Sequence, residues 1–416
     1  MFQRRVVITG IGALTPIGNN VEAFWNNLEN GVSGAAKITR FDVSDFRTQF
    51  ACELKNFKVE DYLDSKDIRM MDPSSHYGII ACDEAIEDSG LSLTSEDLCK
   101  IGVMWGTGIG GLQSLSNCIA DYLQCEPPKK MHPFFIPKMI ANMTSGHISI
   151  KYGFKGPVST SVSACASSND AVISAIQFIS SGHADVIVTG GSEAAINDIG
   201  ISGFSVIKAL SERNNDPQTA SRPFDNDRDG FVMGEGAGAM VLELYEHALH
   251  RGAKIYAEIA GFGMSADAYH ITAPLPNGAG AALAMSNALK FARLTPQDID
   301  YVNAHGTSTG LGDIAEIKAL VSVFESSISK INISSTKSMT GHMLGATGVV
   351  ESIVSVLALN YNVVPPTINH FKTDSKIDSI INLTPNKAQK KEINFVLNNS
   401  FGFGGHNTSI ILKKLP

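Results

Sequence analysis

The chain has 416 residues, of which 44% are hydrophobic, and 33 lysines and arginines stand against 41 aspartates and glutamates, giving a formal net charge of −8. This composition is typical of a well-cored globular protein and excludes a disordered or collagen-like chain. The absence of basic runs argues against nucleic-acid binding, and we expect neither a signal peptide nor an apolar run of about 18 residues that could span a membrane. The six cysteines show no CxxC spacing, which favours a reducing cytoplasm over export.

The first informative pattern in chain order is a helix followed by a strand. An Ala-rich amphipathic pattern predicts a helix over 77–89, and LTSEDL at 93–98 then leads into an apolar strand that ends near Trp105. The GTGIGG run at 106–111 has the spacing of a dinucleotide-binding turn, but no acidic residue ends a second strand about 20 residues later. We therefore expect a close-packed turn beside a pocket.

Cys165 lies where a strand-like run gives way to a small-residue helix, in VSTSVSACASSNDAV. Apolar positions at helical spacing from Ala171 to Ile179 place Cys165 at or near the start of this helix. Unpaired backbone N–H groups and the helix dipole would favour the reactive thiolate there. We interpret Cys165 as a nucleophile rather than as a structural cysteine.

The second half of the chain repeats this organisation. LTPQDI at 294–299 matches LTSEDL at 93–98 with an offset of 201 residues (294 − 93). Each copy follows a helix, predicted at 281–292 in the second half, and each leads through a strand into a Gly/Thr turn. Two related halves of alternating strands and helices imply a duplicated α/β architecture.

Two histidines of the second half lie in Gly/Thr-rich turns. His305, in NAHGTSTG, follows a short apolar strand, and open α/β sheets present ligand-binding groups at such strand ends. His342, in KSMTGHMLGATG, precedes a second buried helix. If the halves are related by pseudo-symmetry, Cys165 and His342 come from corresponding helix starts and meet at the centre, although 177 residues separate them (342 − 165). Together the three residues indicate covalent acyl chemistry.

The order of the motifs resembles a known family. RRVVITGIGALTPIG, SRPFDNDRDGFVMGEGAG, NAHGTST, KSMTGHMLGATG and NNSFGFGGHN resemble the condensing enzymes of the thiolase superfamily, specifically the elongating, type II β-ketoacyl-acyl carrier protein synthases. The resemblance implies an α/β, thiolase-like fold in which two duplicated βαβαβαββ halves form five α/β/α/β/α layers. It places the nucleophile, with cap and dimer insertions, in an N-terminal half over 1–252, and both catalytic histidines in a C-terminal half over 253–416.

The resemblance also implies the reaction of a 3-oxoacyl-[acyl-carrier-protein] synthase. Cys165 would hold an acyl group that condenses with malonyl-carrier protein in a decarboxylative Claisen reaction, extending the chain by two carbons in fatty acid biosynthesis. His305 and His342 would stabilise the enolate left by loss of CO2. Lys337 would help fix the protonation of both histidines. The backbone N–H groups of Cys165 and Phe403 would form the oxyanion hole.

Further roles follow from the same resemblance. Thr307 and Thr309 would hydrogen-bond the pantetheine arm of the substrate. Phe401, Phe403 and Ile109 would line the acyl-binding region, with Phe403 as a mobile gate and Ile109 as a determinant of chain length.

Glu351 would be the buried partner of Lys337, because a buried lysine needs a neutralising group. Together with Asn303, Ala304, Asn398 and Asn399, Glu351 matches positions at which relatives hold a monovalent cation, although the sequence identifies no metal site of its own. No resident cofactor is expected, since phosphopantetheine arrives on the carrier protein.

The implied partners are acyl- and malonyl-loaded acyl carrier protein and a second copy of the chain. Candidate contacts for the acidic carrier are the following cations: Lys66, Arg69, Lys129, Lys130, Lys208 and Arg213. A specialised ketosynthase of a type II polyketide or polyene pathway is the alternative, since Gly310 replaces a usual proline and the residues after Cys165 are unusually polar. A non-catalytic chain-length partner subunit is disfavoured because Cys165 is present.

Overall fold

The structure of the protein is a computed structural model that describes residues 4–126 and 130–415, so the candidate carrier contact Lys129 lies outside the described residues. The strands are β1 (Val6–Leu14), β2 (Ala36–Lys37), β3 (Phe50–Ala51), β4 (Ile101–Gly106), β5 (Val158–Ser161), β6 (Val186–Glu193), β7 (Gly236–Leu244), β8 (Ala257–Ala266), β9 (Tyr301–Asn303), β10 (Asn332–Ser334), β11 (Val363–Val364), β12 (Gln389–Lys390), β13 (Phe395–Gly402) and β14 (His406–Lys413).

The α-helices are α1 (Val21–Glu29), α2 (Ser65–Met70), α3 (Pro73–Ser89), α4 (Leu112–Gln124), α5 (Phe135–Met139), α6 (Met143–Tyr152), α7 (Ser167–Ser180), α8 (Asp198–Val206), α9 (Tyr245–His250), α10 (Ala279–Ala292), α11 (Gly312–Phe324), α12 (Lys337–Thr340) and α13 (Thr347–Tyr361). Short 3₁₀ turns occupy Val59–Asp61, Leu98–Lys100, Ala164–Ala166, Pro217–Thr219, Pro296–Asp298, Glu325–Lys330 and Leu344–Ala346.

The main sheet consists of two five-stranded halves with the same topology. Its strand order is β10-β9-β13-β14-β8-β1-β7-β6-β4-β5. Within each half the first strand pairs antiparallel with the last, and the second pairs in parallel with the third and the fourth. Within the described part of the sheet, the halves pair with each other through short β1–β8 contacts, Val7 with Glu258 and Ile8 with Ala257. The predicted division between residues 252 and 253 falls between β7 and β8.

Each half follows the predicted βαβαβαββ order. The first runs β1, α3, β4, α6, β5, α7, β6, β7, and the second runs β8, α10, β9, α11, β10, α13, β13, β14. Helix α3 covers β1 and β7, α10 covers β8 and β14, and α7 packs against α13 between the sheets. The duplicated, five-layered α/β fold is therefore confirmed.

The repeated sequence pattern coincides with equivalent elements. The helix predicted at 77–89 is the body of α3, which starts after the capping carboxylate of Asp72 and ends at Gly90 in the left-handed conformation. The helix predicted at 281–292 is the body of α10. Each is followed by a 3₁₀ turn and a buried strand, β4 or β9, so the same local signals build the same unit twice.

The segment Leu344–Tyr361 corrects one expectation from the sequence. By length and composition it could cross a membrane, whereas no such apolar run was predicted. In the structure 89% of this segment is buried, and α13 packs against β7 and β13. It is a core helix that is buried on every face because it lies between the two halves of the main sheet.

Candidate active site

Cys165 lies in the 3₁₀ turn Ala164–Ala166, directly before α7 and in agreement with its predicted place near a helix start. Ala164 adopts a left-handed φ of 51°, which bends the chain sharply at the nucleophile. Strand β13 braces the turn, because Ser400 Oγ donates a hydrogen bond to the carbonyl of Cys165. A Cβ on Gly402 would lie 2.6 Å from the carbonyl oxygen of Ser163, so glycine permits this close approach.

The thiol of Cys165 is not the thiolate that its helix position suggested. Burial raises the pKa of Cys165 to about 12, although the charge of Lys337 and the backbone N–H groups of Phe403 and Cys165 act to lower it. The residue is only 9% exposed, so the loss of hydration outweighs the favourable dipoles. The sulfur therefore rests as a thiol and needs a proton acceptor.

His342 supplies an acceptor within reach. Its Nε2 lies 3.0 Å from Cys165 Sγ, and its Nδ1 lies 3.0 Å from Thr347 Oγ1. Its backbone N–H donates to the carbonyl of Val232, which fixes the turn between α12 and α13. Because a hydroxyl can donate or accept, Thr347 suits either neutral tautomer of the ring. Cys165 and His342 thus meet at the centre, as pseudo-symmetry predicted.

His305 lies beside His342, after β9. The ring centroids are 5.4 Å apart and the planes nearly perpendicular. Burial, followed by the charge of Lys337, lowers the pKa of both histidines well below the usual value, so both rings are neutral. Glu316 accepts hydrogen bonds from the backbone N–H groups of His305 and Gly306, and His305 Nδ1 has no hydrogen-bond partner among the described residues.

Lys337 and Glu351 form a buried ion pair at the first turn of α12. Lys337 Nζ lies 2.6 Å from Glu351 Oε1, and the side chains are 1% and 2% exposed. Burial raises the pKa of Glu351 to about 7, against the lowering influence of Lys337. The pair places a cation close enough to lower the pKa values of both histidines and of Cys165.

A cavity of about 350 Å³ connects these groups to the surface. Its lining includes most of the sequence-predicted residues, namely Cys165, His305, His342, Thr307, Thr309, Phe401 and Phe403. The hydroxyls of Thr307 and Thr309 lie 3.0 Å apart, and the Phe401 ring centroid lies 5.6 Å from that of His305. The cavity thus joins a thiol, two neutral imidazoles and hydroxyls suited to a polar ligand arm.

Ile109 is the predicted substrate residue that the structure does not bring into this cavity. It lies in the turn after β4 and is 39% exposed, and the described cavity lining does not include it. The turn is close-packed, as predicted for the GTGIGG run, since a Cβ on Gly106 would lie 2.5 Å from the backbone of Ser168. Glu193 accepts the N–H groups of Gly108 and Ile109, so these amides are not free for phosphate.

The buried oxygens that have no hydrogen-bond partner among the described residues include Asn303 Oδ1, Asn398 Oδ1 and Glu351 Oε2. Asn303 and Asn398 are paired across β9 and β13. Asn398 and Asn399 were both predicted members of this set. The side-chain oxygen of Asn399 accepts a hydrogen bond from Ser409, and its amide reaches Glu316. The neighbouring residue, Asn398, therefore carries the free oxygen.

Sequence reasoning missed several residues that shape the site. Glu316 holds the His305 turn, Glu193 holds the turn after β4, and the Phe231 ring packs edge-on against His342 at 5.3 Å. For Glu193 the available signal was a single charged residue at the end of the strand VIVTGGSE, because a buried carboxylate requires donors. Glu316 gave a weaker signal, since the helix GDIAEIKAL also carries Asp313 and Lys318.

Comparison with known proteins identifies the family. Residues 3–248 match the family described as β-ketoacyl synthase, N-terminal domain, and residues 256–371 match its C-terminal domain. The chain is 48% identical over 416 residues to 3-oxoacyl-[acyl-carrier-protein] synthase 2 of Vibrio harveyi, covering 100% of both chains. It is 46% identical over 411 residues to the protein of the same name from Staphylococcus aureus strain COL, covering 99% and 98%.

Solved structures give the same result. A β-ketoacyl synthase from Burkholderia phymatum STM815 superposes with a TM-score of 0.91 at 34% identity, covering 100% of both chains. A type II polyketide ketosynthase, solved with its acyl-carrier protein and bound to the hexaketide, gives 0.90 at 33%, covering 99% of this chain and 100% of that one. The chain belongs to the β-ketoacyl synthase family. Its activity is that of a 3-oxoacyl-[acyl-carrier-protein] synthase, an acyltransferase that elongates fatty acyl chains.

Proposed function

We propose that Cys165 carries the growing acyl chain and that His305 and His342 carry out the decarboxylation. The contact of 3.0 Å between His342 Nε2 and Cys165 Sγ, inside a cavity that reaches the surface, carries this proposal. A neutral imidazole at this distance can accept the thiol proton that burial holds in place.

In the first step, Cys165 Sγ attacks the carbonyl carbon of an acyl thioester while its proton passes to His342 Nε2. The bond from that carbon to the pantetheine sulfur breaks, and the departing thiolate takes the proton back. The backbone N–H groups of Cys165 and Phe403 serve as the oxyanion hole, a role that fits their influence on the sulfur. His342 is neutral again when the second substrate enters. Its ring proton must by then lie on Nε2, a tautomer that Thr347 also suits because its hydroxyl can donate to Nδ1.

In the second step, the bond between the malonyl α-carbon and its carboxylate breaks and CO2 leaves. The electron pair forms an enolate, whose oxygen accepts N–H groups from His305 and His342. The enolate carbon then attacks the carbonyl carbon of the Cys165 thioester and forms the new carbon–carbon bond. The bond from that carbon to Sγ breaks, and the released thiolate takes up a proton from water to return to the resting thiol. The role of Lys337 is to keep both imidazoles neutral, and that of Thr307 and Thr309 is to hold the pantetheine arm.

Partial reactions test these roles. Cys165→Gln should abolish condensation yet leave malonyl decarboxylation measurable, because the histidines and Lys337 remain in place. Cys82→Ala is the matched control, since Cys82 is also fully buried but lies on α3. Condensation by Cys165→Gln at the wild-type rate would contradict the proposal.

Acyl carrier protein is the proposed partner, bound at the mouth of the cavity. Lys208 lines this mouth, and the apolar side chains of Val206, Ile271 and Leu311 are 79%, 76% and 69% exposed. Lys66, Arg69 and Lys130 are exposed as well, whereas Arg213 is half-buried and donates to the carbonyl of Asp227. Lys208→Glu should raise KM for the carrier-bound substrate and leave KM for a short acyl-pantetheine unchanged; equal KM values for the two enzymes would contradict this surface.

The second proposed partner is another copy of the chain, paired along β5. This strand ends the sheet, and nearby Val158, Val162 and Ile150 are 42%, 59% and 77% exposed. The open edge of a strand, flanked here by exposed apolar side chains, is a template for another strand. Sedimentation should show a dimer that Val158→Lys weakens, and a wild-type monomer would contradict the pairing.

Ile109 is exposed and does not line the cavity. Its proposed role as a determinant of acyl chain length is retained.

A monovalent cation fits the three unpartnered oxygens of Asn303, Asn398 and Glu351, because such ions prefer oxygen ligands. We propose that they hold such an ion structurally and that it takes no part in the chemical steps. Replacing K⁺ by the bulky tetramethylammonium ion at constant ionic strength should lower Tm, and an unchanged Tm would contradict the site. The proposed chemistry uses carrier-borne phosphopantetheine and no resident cofactor.

We also propose a cytoplasmic location, supported by six cysteines that are all free thiols. The alternative, a specialised polyketide or polyene ketosynthase, draws on the structural likeness to the ishigamide ketosynthase/chain length factor, with a TM-score of 0.92 at 34% identity. The higher identity to 3-oxoacyl synthases favours fatty acid elongation. Condensation rates with saturated and with polyunsaturated acyl donors distinguish fatty acid elongation from a specialised polyketide or polyene ketosynthase.

A further inference from the structure

Glu193 is a buried carboxylate that the proposed steps do not use. It ends β6, is 0% exposed, and accepts four hydrogen bonds. On one side, Oε1 accepts from Thr107 Oγ1 at 3.1 Å and from the N–H of Ile109 at 3.2 Å. Oε2 accepts from the N–H of Gly108 at 2.7 Å and from the N–H of Gly345 at 3.0 Å.

These donors come from two turns in different halves of the molecule. Thr107, Gly108 and Ile109 follow β4, and Gly345 lies in the 3₁₀ turn Leu344–Ala346, three residues after His342. The turns are in direct contact, since a Cβ on Gly345 would lie 2.1 Å from the backbone N of Gly108. Glu193 therefore links the turn after β4 in the first half to the Leu344–Ala346 turn in the second half.

The charge of Glu193 also acts on Cys165. It is among the groups that raise the pKa of the Cys165 thiol. Burial raises the pKa of Glu193 itself to about 7, while its four donors lower it. Since all four partners donate, each favours the ionised carboxylate, which only accepts.

We propose that Glu193 is a positioning residue of the condensation: it fixes the Ile109 turn against the His342–Gly345 segment and keeps a negative charge behind the nucleophile. This proposal rests on the proposed function of Cys165 and Ile109. The second half uses the same device, where Glu316 accepts the N–H groups of His305 and Gly306 after β9. In both halves a carboxylate sets a strand-end turn that borders the reacting groups.

Glu193→Gln tests both parts of the proposal. The amide loses the charge, and its NH2 group cannot accept from the turn N–H groups. The pH midpoint for alkylation of Cys165 by iodoacetamide, followed by mass spectrometry of its peptide, should fall by about one unit. The relative kcat/KM values for short and long acyl donors should also change, because the Ile109 turn loosens.

Glu243→Gln is the matched control, because Glu243 is also 0% exposed but lies on β7 with Arg251, His247 and Thr9 as partners. It should leave the alkylation midpoint and the chain-length profile unchanged. For Glu193→Gln, an unchanged midpoint or an unchanged profile would overturn the assignment.

Thr107→Val keeps the proposal testable if Glu193→Gln fails to fold. It removes one donor to Glu193 and retains the charge, so the profile should change while the midpoint stays at the wild-type value. A wild-type profile would overturn the positioning role. Failure of the proposed function would be distinct, since the wild-type enzyme itself would then show no condensation.

Discussion

The turns that precede the two central helices have similar backbone conformations but different roles. Ala164–Ala166 precedes α7 and Leu344–Ala346 precedes α13, and each begins with a left-handed residue, Ala164 at φ 51° and Leu344 at φ 46°. The second residue of one turn is Cys165, facing the cavity, and that of the other is Gly345, pressed against Gly108.

This difference shows how a duplicated fold acquires one active site. The second turn has no room for a side chain where the first carries its nucleophile. The second half contributes instead through His342, three residues before Gly345, at the position equivalent to Val162 of the first half. Val162 is 59% exposed, whereas His342 is 2% exposed and touches Cys165. The two halves thus supply complementary groups from equivalent places.

The largest effect is expected from Lys337, a charge that only the second half places beside its turn. Lys337→Met leaves Glu351 buried without its partner, and the free energy of unfolding in urea should fall by about 3–5 kcal/mol. The double variant Lys337→Met/Glu351→Leu should recover most of that stability but not condensation, because the cation near the histidines is still missing. Full activity of the folded double variant would contradict the role of Lys337.

The next largest effect is expected at the two turn positions themselves. Gly345→Ala drives a methyl group into the Gly108 backbone and should lower the free energy of unfolding by about 1–3 kcal/mol. Cys165→Ala should change it by less than about 1 kcal/mol, because the side chain faces a cavity. Urea unfolding compares the pair. Equal losses of unfolding free energy in the two variants would contradict the different packing of the two turns.

The sequence predicted the duplicated unit because its signals are local: helix periodicity, turn residues and short apolar strands recur at residues 77–106 and 281–306. It also predicted that Cys165 and His342 meet, since pseudo-symmetry brings equivalent helix starts together. The sequence predicted a thiolate at Cys165, and this was wrong. A helix start can be recognised from the sequence, but the burial that raises the pKa of the thiol cannot. Glu193 was missed for a different reason: its hydrogen-bond donors lie between 84 and 152 residues away in the sequence.

A smaller effect on stability is expected when proline replaces one of two equivalent glycines, Gly110 and Gly310. Gly110 has φ 76°, so proline cannot replace it, whereas Gly310 is not left-handed and a Cβ there meets no atom within 4 Å. Arg228 already holds the Gly310 carbonyl at 3.0 Å. Gly310→Pro should therefore raise the free energy of unfolding by about 0.4–1 kcal/mol, measured in urea. A loss of stability as large as that of Gly110→Pro would contradict this distinction.

The smallest effect concerns the end of the first half, where His247 lies between Glu243 at 2.8 Å and Glu96 at 3.0 Å. The hydrogen bond to Glu243 leads the groups that raise the pKa of His247 above 6.5. Because the pKa of His247 is higher in the folded protein than in the unfolded chain, protonated His247 stabilises the fold. This contribution is fully present below the unfolded-state pKa and is lost as the pH rises through the folded-state pKa. The Tm difference between wild type and His247→Gln should be about 1 °C at pH 5.5 and vanish by pH 8.5. A difference that grows with pH would contradict it.

Mass spectrometry of the protein after incubation with an acyl-loaded carrier tests the division of labour between the halves most directly. The account predicts one acyl adduct per chain, located on the peptide that contains Cys165, and its disappearance when malonyl-loaded carrier is added. An adduct on another residue, or none in an enzyme that still condenses, would contradict it.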